Sequence, residues 1–184
     1  MTRIRPLTFS AERPLEPGRY RHDSFVPSLS FEVADGWYAL QDVPGFFDIQ
    51  RDPGTPDVIA VQLARPAGYQ GVEAIAAALR ARHDLVAGVA AGSTIGGESA
   101  MAIVVDAADP DIAVGRFVPV LDVTAGPISI AAGRRLEIML LEPPDGPLAV
   151  LVGGSVRRWD AALAAAEPVI ASIRFDRPTG IRVP

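Results

Sequence analysis

Two histidine–aspartate pairs, His22-Asp23 and His83-Asp84, put an imidazole beside a carboxylate, the combination from which general acid–base chemistry is built. A catalytic imidazole needs an orienting carboxylate on one ring nitrogen and a substrate group within reach of the other. Neighbouring residues on a strand point to opposite faces, so His22 and Asp23 are not expected to pair if their segment is extended. His83 is expected in the last turn of a helix, where a cationic or polar group complements the helix dipole. Gly153-Gly154-Ser155-Val156-Arg157 comes within one residue of the G-x-S-x-G elbow that exposes a nucleophilic serine. Arg157 occupies the place of the last glycine, whose missing side chain permits that turn, so Ser155 reads as a helix cap. Asp106, Asp109 and Asp111 place three carboxylates in one loop. Calcium asks for about six or more oxygens, usually in a tight glycine-containing loop. Pro110 constrains this one, which reads as a solvated acidic loop. The glycine-rich passage from Gly88 to Gly97 lacks the G-x-G-x-x-G order of a phosphate cradle and reads as a flexible connection. No catalytic residue, metal ligand or cofactor is therefore assigned; a hydrolase using His22 or His83 with carboxylates stands as the enzymatic alternative.

Aromatic residues make the stronger case for a ligand. Trp37, Tyr38, Phe46 and Phe47 lie on consecutive extended segments, and Trp159 opens the last helix beside Arg157 and Arg158. An apolar cleft between sheet and helix, rimmed by arginines, would suit a lipid-like or peptide ligand carrying an anionic group. The expected ligand-binding set is Trp37, Tyr38, Phe47, Arg157 and Trp159. The plain alternative is that the rings are simply core.

Absent residue types exclude several chemistries. Among 184 residues there is no cysteine, no lysine and no asparagine, and all 17 basic residues are arginine. Disulfides, thiolate nucleophiles, cysteine-ligated zinc, phosphate-loop lysines and Schiff bases are out. With two histidines, no three-histidine metal site exists. The net charge of −5 argues against a nucleic-acid partner, whose binding needs a basic face. Residues 1–22 carry five arginines against two glutamates, which reads as a solvated basic arm. The longest uncharged stretch, Leu85 to Gly97, has 13 residues and is too short and glycine-rich for a transmembrane helix. The start lacks the apolar core of a secretion signal. A cytoplasmic location is expected on the chain as written, and an extracytoplasmic one if a native anchor precedes it.

Hydrophobic periodicity supplies the elements. Phe25, Leu29, Phe31 and Val33 alternate within Ser24 to Val33, which predicts a half-buried strand that Pro27 places at an edge or bulge. Further strands are expected from Trp37, over Phe46 to Arg51, Val58 to Ala64, Ala100 to Ala107 and Phe117 to Val123. Arg135 to Leu141 and Leu148 to Val152 flank a Pro-Pro-Asp-Gly loop and predict a β-hairpin. Val72, Ile75, Ala76 and Leu79 recur at helical spacing and predict a helix over Val72 to His83. A second helix is expected with Ser155 as its cap and Trp159, Ala162, Leu163, Ala166 and Ile170 on one stripe; Pro168 should bend or end it. Ile173-Arg174-Phe175 reads as a short closing strand. Strands in runs point to α+β: an antiparallel sheet of about six to eight strands flanked by two main helices. Residues 1–19 read as a Pro/Arg-rich arm, 20–176 as a single domain and 177–184 as a tail.

Several local patterns are family-like. Pro17-Gly18-Arg19-Tyr20, then Phe25-Val26-Pro27-Ser28-Leu29-Ser30-Phe31 and Asp35-Gly36-Trp37, resemble the opening of a group of bacterial domains that often sit behind a membrane anchor. Gly96-Gly97 ahead of a strand, the apolar hairpin and a closing Ser172-Ile173-Arg174-Phe175 continue the likeness. The layout over roughly residues 17 to 175 is similar to the PsbP-like fold, also found in LpqN-type lipoproteins. That resemblance implies no catalytic residues and a binding or accessory role. The expected function is a non-enzymatic module binding a protein or small ligand, alternatively a carrier holding a small hydrophobic molecule between sheet and helix. A homodimer is compatible with the sequence.

Overall fold

Three packed layers are built around one long sheet. The computed structural model describes residues 4–6, 13–23, 25, 28–109 and 116–176. Its elements in chain order are β1 (Ile4–Pro6), β2 (Arg13–Pro14), β3 (Gly18–His22), β4 (Leu29–Val33), β5 (Trp37–Val43), β6 (Phe46–Arg51) and β7 (Ile59–Ala64). Then come α1 (Val72–Arg80), β8 (Leu85–Val89), β9 (Ser93–Ile95), β10 (Glu98–Ala107), β11 (Phe117–Val123) and β12 (Gly126–Ala131). The chain closes with β13 (Arg134–Leu141), β14 (Leu148–Ser155), a 3-10 turn (Val156–Arg158), α2 (Trp159–Ser172) and β15 (Arg174–Phe175). Nine strands form the main sheet in the order β2-β5-β6-β7-β14-β13-β10-β8, with β9 also on β10. Every pairing in it is antiparallel. A four-stranded sheet, β1-β3-β4-β15, and the β11–β12 hairpin complete the strands. The fold is α+β with an antiparallel sheet, as the order of periodic segments indicates.

The central strand explains the layering. In β14, Leu148, Val150 and Val152 belong to one buried cluster, while Ala149 and Leu151 belong to the other. A strand covered on both faces has no polar side to present, and Leu148 to Val152 is accordingly an unbroken apolar run. One face packs on α2 and β4, through Phe31, Trp159, Ala162, Ala166 and Val169. The opposite face packs on α1, through Ile75, Ala76 and Leu79, and on the β11–β12 hairpin. The hairpin predicted around Pro-Pro-Asp-Gly is β13–β14, in register from Leu141↔Leu148 to Arg134↔Ser155.

Several expectations need correction. α1 stops at Arg80, so His83 lies beyond the helix, exposed in the turn to β8. The passage from Gly88 to Gly97 is not a plain connection, because β8 and β9 both hydrogen-bond along β10 and draw it into the sheet. Ser155 makes no side-chain cap; it ends β14, and α2 starts four residues later at Trp159. Pro168 does not end α2, which runs on to Ser172. Pro168 is exposed, and only the carbonyl of exposed Ala164, four residues back, loses its donor. Within the expected arm, β1 pairs with β3, β2 pairs with β5, and Leu15 is buried. Pro27 and Asp111 lie outside the described residues.

Gly154 sets how closely α2 seats on the sheet. A Cβ there would stand 2.6 Å from the Ala162 Cβ and 3.4 Å from the Trp159 ring. Neither neighbour is a flexible chain end, so helix or strand must move. Gly154→Ala is expected to cost about 1–3 kcal/mol by overpacking, read as a lower urea midpoint with unchanged slope; an unaltered midpoint would show that α2 is free to shift.

Candidate functional site

The β5–β6 pairing carries a bulge that decides where polar side chains go. The register slips between Ala39 and Gln41, leaving Leu40 as the extra residue. Trp37 and Ala39 face the α2 side; without the bulge Gln41 would follow them. Instead Gln41 pairs with Asp48 and Asp42 pairs with Phe47, so the two swap faces. Asp42 thereby meets His22, whose Nε2–H donates to Asp42 Oδ1 at 2.8 Å. His22 is 1% exposed, stacks on Phe47 at 5.0 Å and meets Phe25 edge-on at 5.7 Å. Phe47 also stacks on Phe31 at 5.4 Å. An imidazole with an acidic partner thus exists, packed against the rings of Phe25 and Phe47 in the core. Asp23, its sequence neighbour, is exposed and pairs with Arg21, while Asp84 is held by Arg82 and not by His83.

The residues expected to bind a ligand separate. Trp37, Phe47 and Trp159 join one core cluster, at 2%, 1% and 9% exposure. Tyr38 is half-buried on the opposite face of β5. Arg157 is exposed beside a surface depression shared with Asp106, Arg134 and Ser155. The cation over Trp159 is Arg135, 5.7 Å from the ring centroid. Arg135 forks onto Asp106, donating from Nε at 2.9 Å and from Nη2 at 2.6 Å, which raises the guanidinium pKa further. Asp106 is therefore spent on an ion pair, and among the described residues no three or more His, Asp or Glu side chains gather as metal ligands.

A groove of about 590 Å³ lies between α2 and the sheet. Its apolar surface comes from Ile95, Met139, Val152, Leu163 and Ile170, and three carboxylates border it: Glu137, Asp160 and Glu167. Leu163 and Ile170 belong to the stripe read from the sequence, but they are half-buried where Ala162, Ala166 and Val169 are fully covered. The helix rests on its small residues and leaves its larger side chains along one margin. Glu137 is the sequence signal of this border: a lone carboxylate in the apolar run of β13, half-buried, with burial pushing its pKa up. The Ala164 carbonyl, without its usual donor because of Pro168, belongs to the same groove. The rim is thus acidic, opposite in sign to the expected one.

No family model matches the chain, and no curated protein sequence does. Solved structures do. CyanoP, the cyanobacterial PsbP of Synechocystis sp. PCC 6803, is similar at 12% identity and a TM-score of 0.48, over 86% of this chain and 91% of that one. LpqN of Mycobacterium tuberculosis, involved in cell envelope biogenesis, is similar at 9% identity and a TM-score of 0.46, over 90% and 91%. Both belong to the kinds of protein that the sequence patterns resemble. A crystal structure from Bacteroides thetaiotaomicron VPI-5482 is similar at 11% identity and a TM-score of 0.44, over 83% of this chain. The match takes in 46% of that protein, so the chain spans about half its length. Among the described residues no helix is long and apolar enough to cross a membrane.

Proposed function

We propose that this domain is a non-enzymatic binding module that carries a small amphiphilic molecule in the groove between α2 and the sheet. The observation that carries the reading is the groove itself: about 590 Å³, apolar along its length and bordered by Glu137, Asp160 and Glu167. That volume falls within the usual range for small-molecule sites, roughly 300–1,000 Å³. The apolar body lies on Met139 and Leu163, and a cationic head is drawn to the acidic border and the bare Ala164 carbonyl. The hydrolase alternative draws less support, since His22 is buried among rings and His83 is exposed beside an aspartate held by Arg82.

Decyltrimethylammonium and decyl sulfate, each below its micelle concentration, test the reading by titration calorimetry. The cationic amphiphile is expected to bind saturably and at least about tenfold tighter than the anionic one, a difference of about 1.4 kcal/mol. Ala164→Trp, at an exposed groove position, is expected to abolish binding without altering the circular dichroism spectrum. Equal binding of both amphiphiles, or indifference to Ala164→Trp, would remove the groove as the site.

A further inference from the structure

The other face of the sheet holds a second, unrelated site. Three of the chain's four glutamines, Gln41, Gln50 and Gln62, converge there on Asp48, the one buried carboxylate among the described residues. Gln41, Asp48 and Gln62 sit on β5, β6 and β7 in direct register. Together with Gly126, Pro127 and Ser129 of the β11–β12 hairpin they line a cleft of about 210 Å³. The β5 bulge is what turns Gln41 to this face.

Asp48 is 6% exposed. Gln50 Nε2 donates to its Oδ2 at 2.8 Å, and the Gln62 amide favours its charged form. Oδ1 has no hydrogen-bond partner, and none of the described arginines or histidines forms an ion pair with the carboxylate. A buried carboxylate oxygen without a donor is costly, and Asp48 stands in the wall of the cleft. Divalent cations want several carboxylates or about six oxygens, and this lining offers one carboxylate. An anion would meet that charge directly. An alkylammonium group brings three N–H donors and a single positive charge, matching one carboxylate with the neutral side chains of Gln41 and Ser129 beside it in the lining.

We infer that this cleft binds a compact primary amine, whose ammonium group donates to Asp48 Oδ1 and to the side-chain oxygens of Gln41 and Ser129. The volume, about seven waters' worth at roughly 30 Å³ each, confines the ligand to a short carbon chain.

The composition supplies a clean test. With no asparagine and four glutamines, the side-chain amide region of a ¹⁵N correlation spectrum holds only the pairs of Gln41, Gln50, Gln62 and Gln70. The full chain is titrated with butylammonium chloride against sodium chloride at matched ionic strength. Saturable shifts of the Gln41 and Gln62 pairs are expected with butylammonium alone, with exposed Gln70 unmoved. Asp48→Asn is expected to weaken binding roughly tenfold to a hundredfold, the range for a lost charge-assisted hydrogen bond. Ser129→Leu, which fills the cleft from the hairpin side, is expected to abolish the shifts. A response that does not saturate, an equal response to sodium chloride, or undiminished binding by Asp48→Asn would each overturn the assignment.

Discussion

Phe47→Ala is expected to destabilise the protein by about 3–5 kcal/mol, the usual cost of removing a buried aromatic ring. Phe47 is 1% exposed and stands where four rings meet: stacked on His22 and Phe31, and edge-on to Phe25 at 6.0 Å. Truncation removes the platform of the imidazole as well as the contacts of the phenyl groups. The cavity cannot collapse easily, because β3, β4 and β6 are each held by their own ladders. Against a typical total of about 5–15 kcal/mol, that loss takes roughly a fifth or more of the fold's stability. Urea unfolding followed by tryptophan fluorescence reads it directly. A loss below about 1 kcal/mol would be the mark of a side chain not packed in the core but kept for a ligand.

Asp48→Asn, one residue further along β6, is expected to act in the opposite direction. Burial raises the Asp48 pKa from 3.8 to about 6, against the weaker opposing pull of the Gln50 and Gln62 amides. Between those two values the folded protein binds a proton that the unfolded chain has released. The stabilisation from the protonated form is complete below about pH 4 and is lost as pH rises through about 6. At pH 8 the buried charge therefore costs up to about 3 kcal/mol, at 1.36 kcal/mol per pKa unit. The asparagine side chain is neutral at every pH and keeps the shape. The variant is expected to unfold at higher urea than the parent at pH 8, to match it near pH 4, and to flatten the profile between. A variant less stable at pH 8 would mean that Asp48 already has a cationic partner in solution. The opposite signs at positions 47 and 48 follow from the strand itself, whose adjacent side chains enter different layers.

Legibility in the sequence divides along the same physical line. The alternation of Leu29, Phe31 and Val33, the apolar pair of strands around Pro-Pro-Asp-Gly, and the stripe Ile75, Ala76 and Leu79 specify β4, β13–β14 and α1, because each is a property of residues a few positions apart. From those runs the α+β class followed. The candidate sites did not, because they depend on partners far away in the chain. Glycine-rich β8 and β9 became strands only because β10 offers them an edge, and glycine carries no side-chain period to announce it. His22 took Asp42, 20 residues on, in place of adjacent Asp23. The α2 groove arises from seating small Ala162 against Gly154, which leaves Leu163 and Ile170 at the margin. The bulge at Leu40 sent Gln41 to Asp48 and Asp42 to His22. A strand's periodicity says which residues share a face. One extra residue in a ladder exchanges those faces, and whether it is there is settled by the neighbouring strand, which the alternation within a single segment cannot encode.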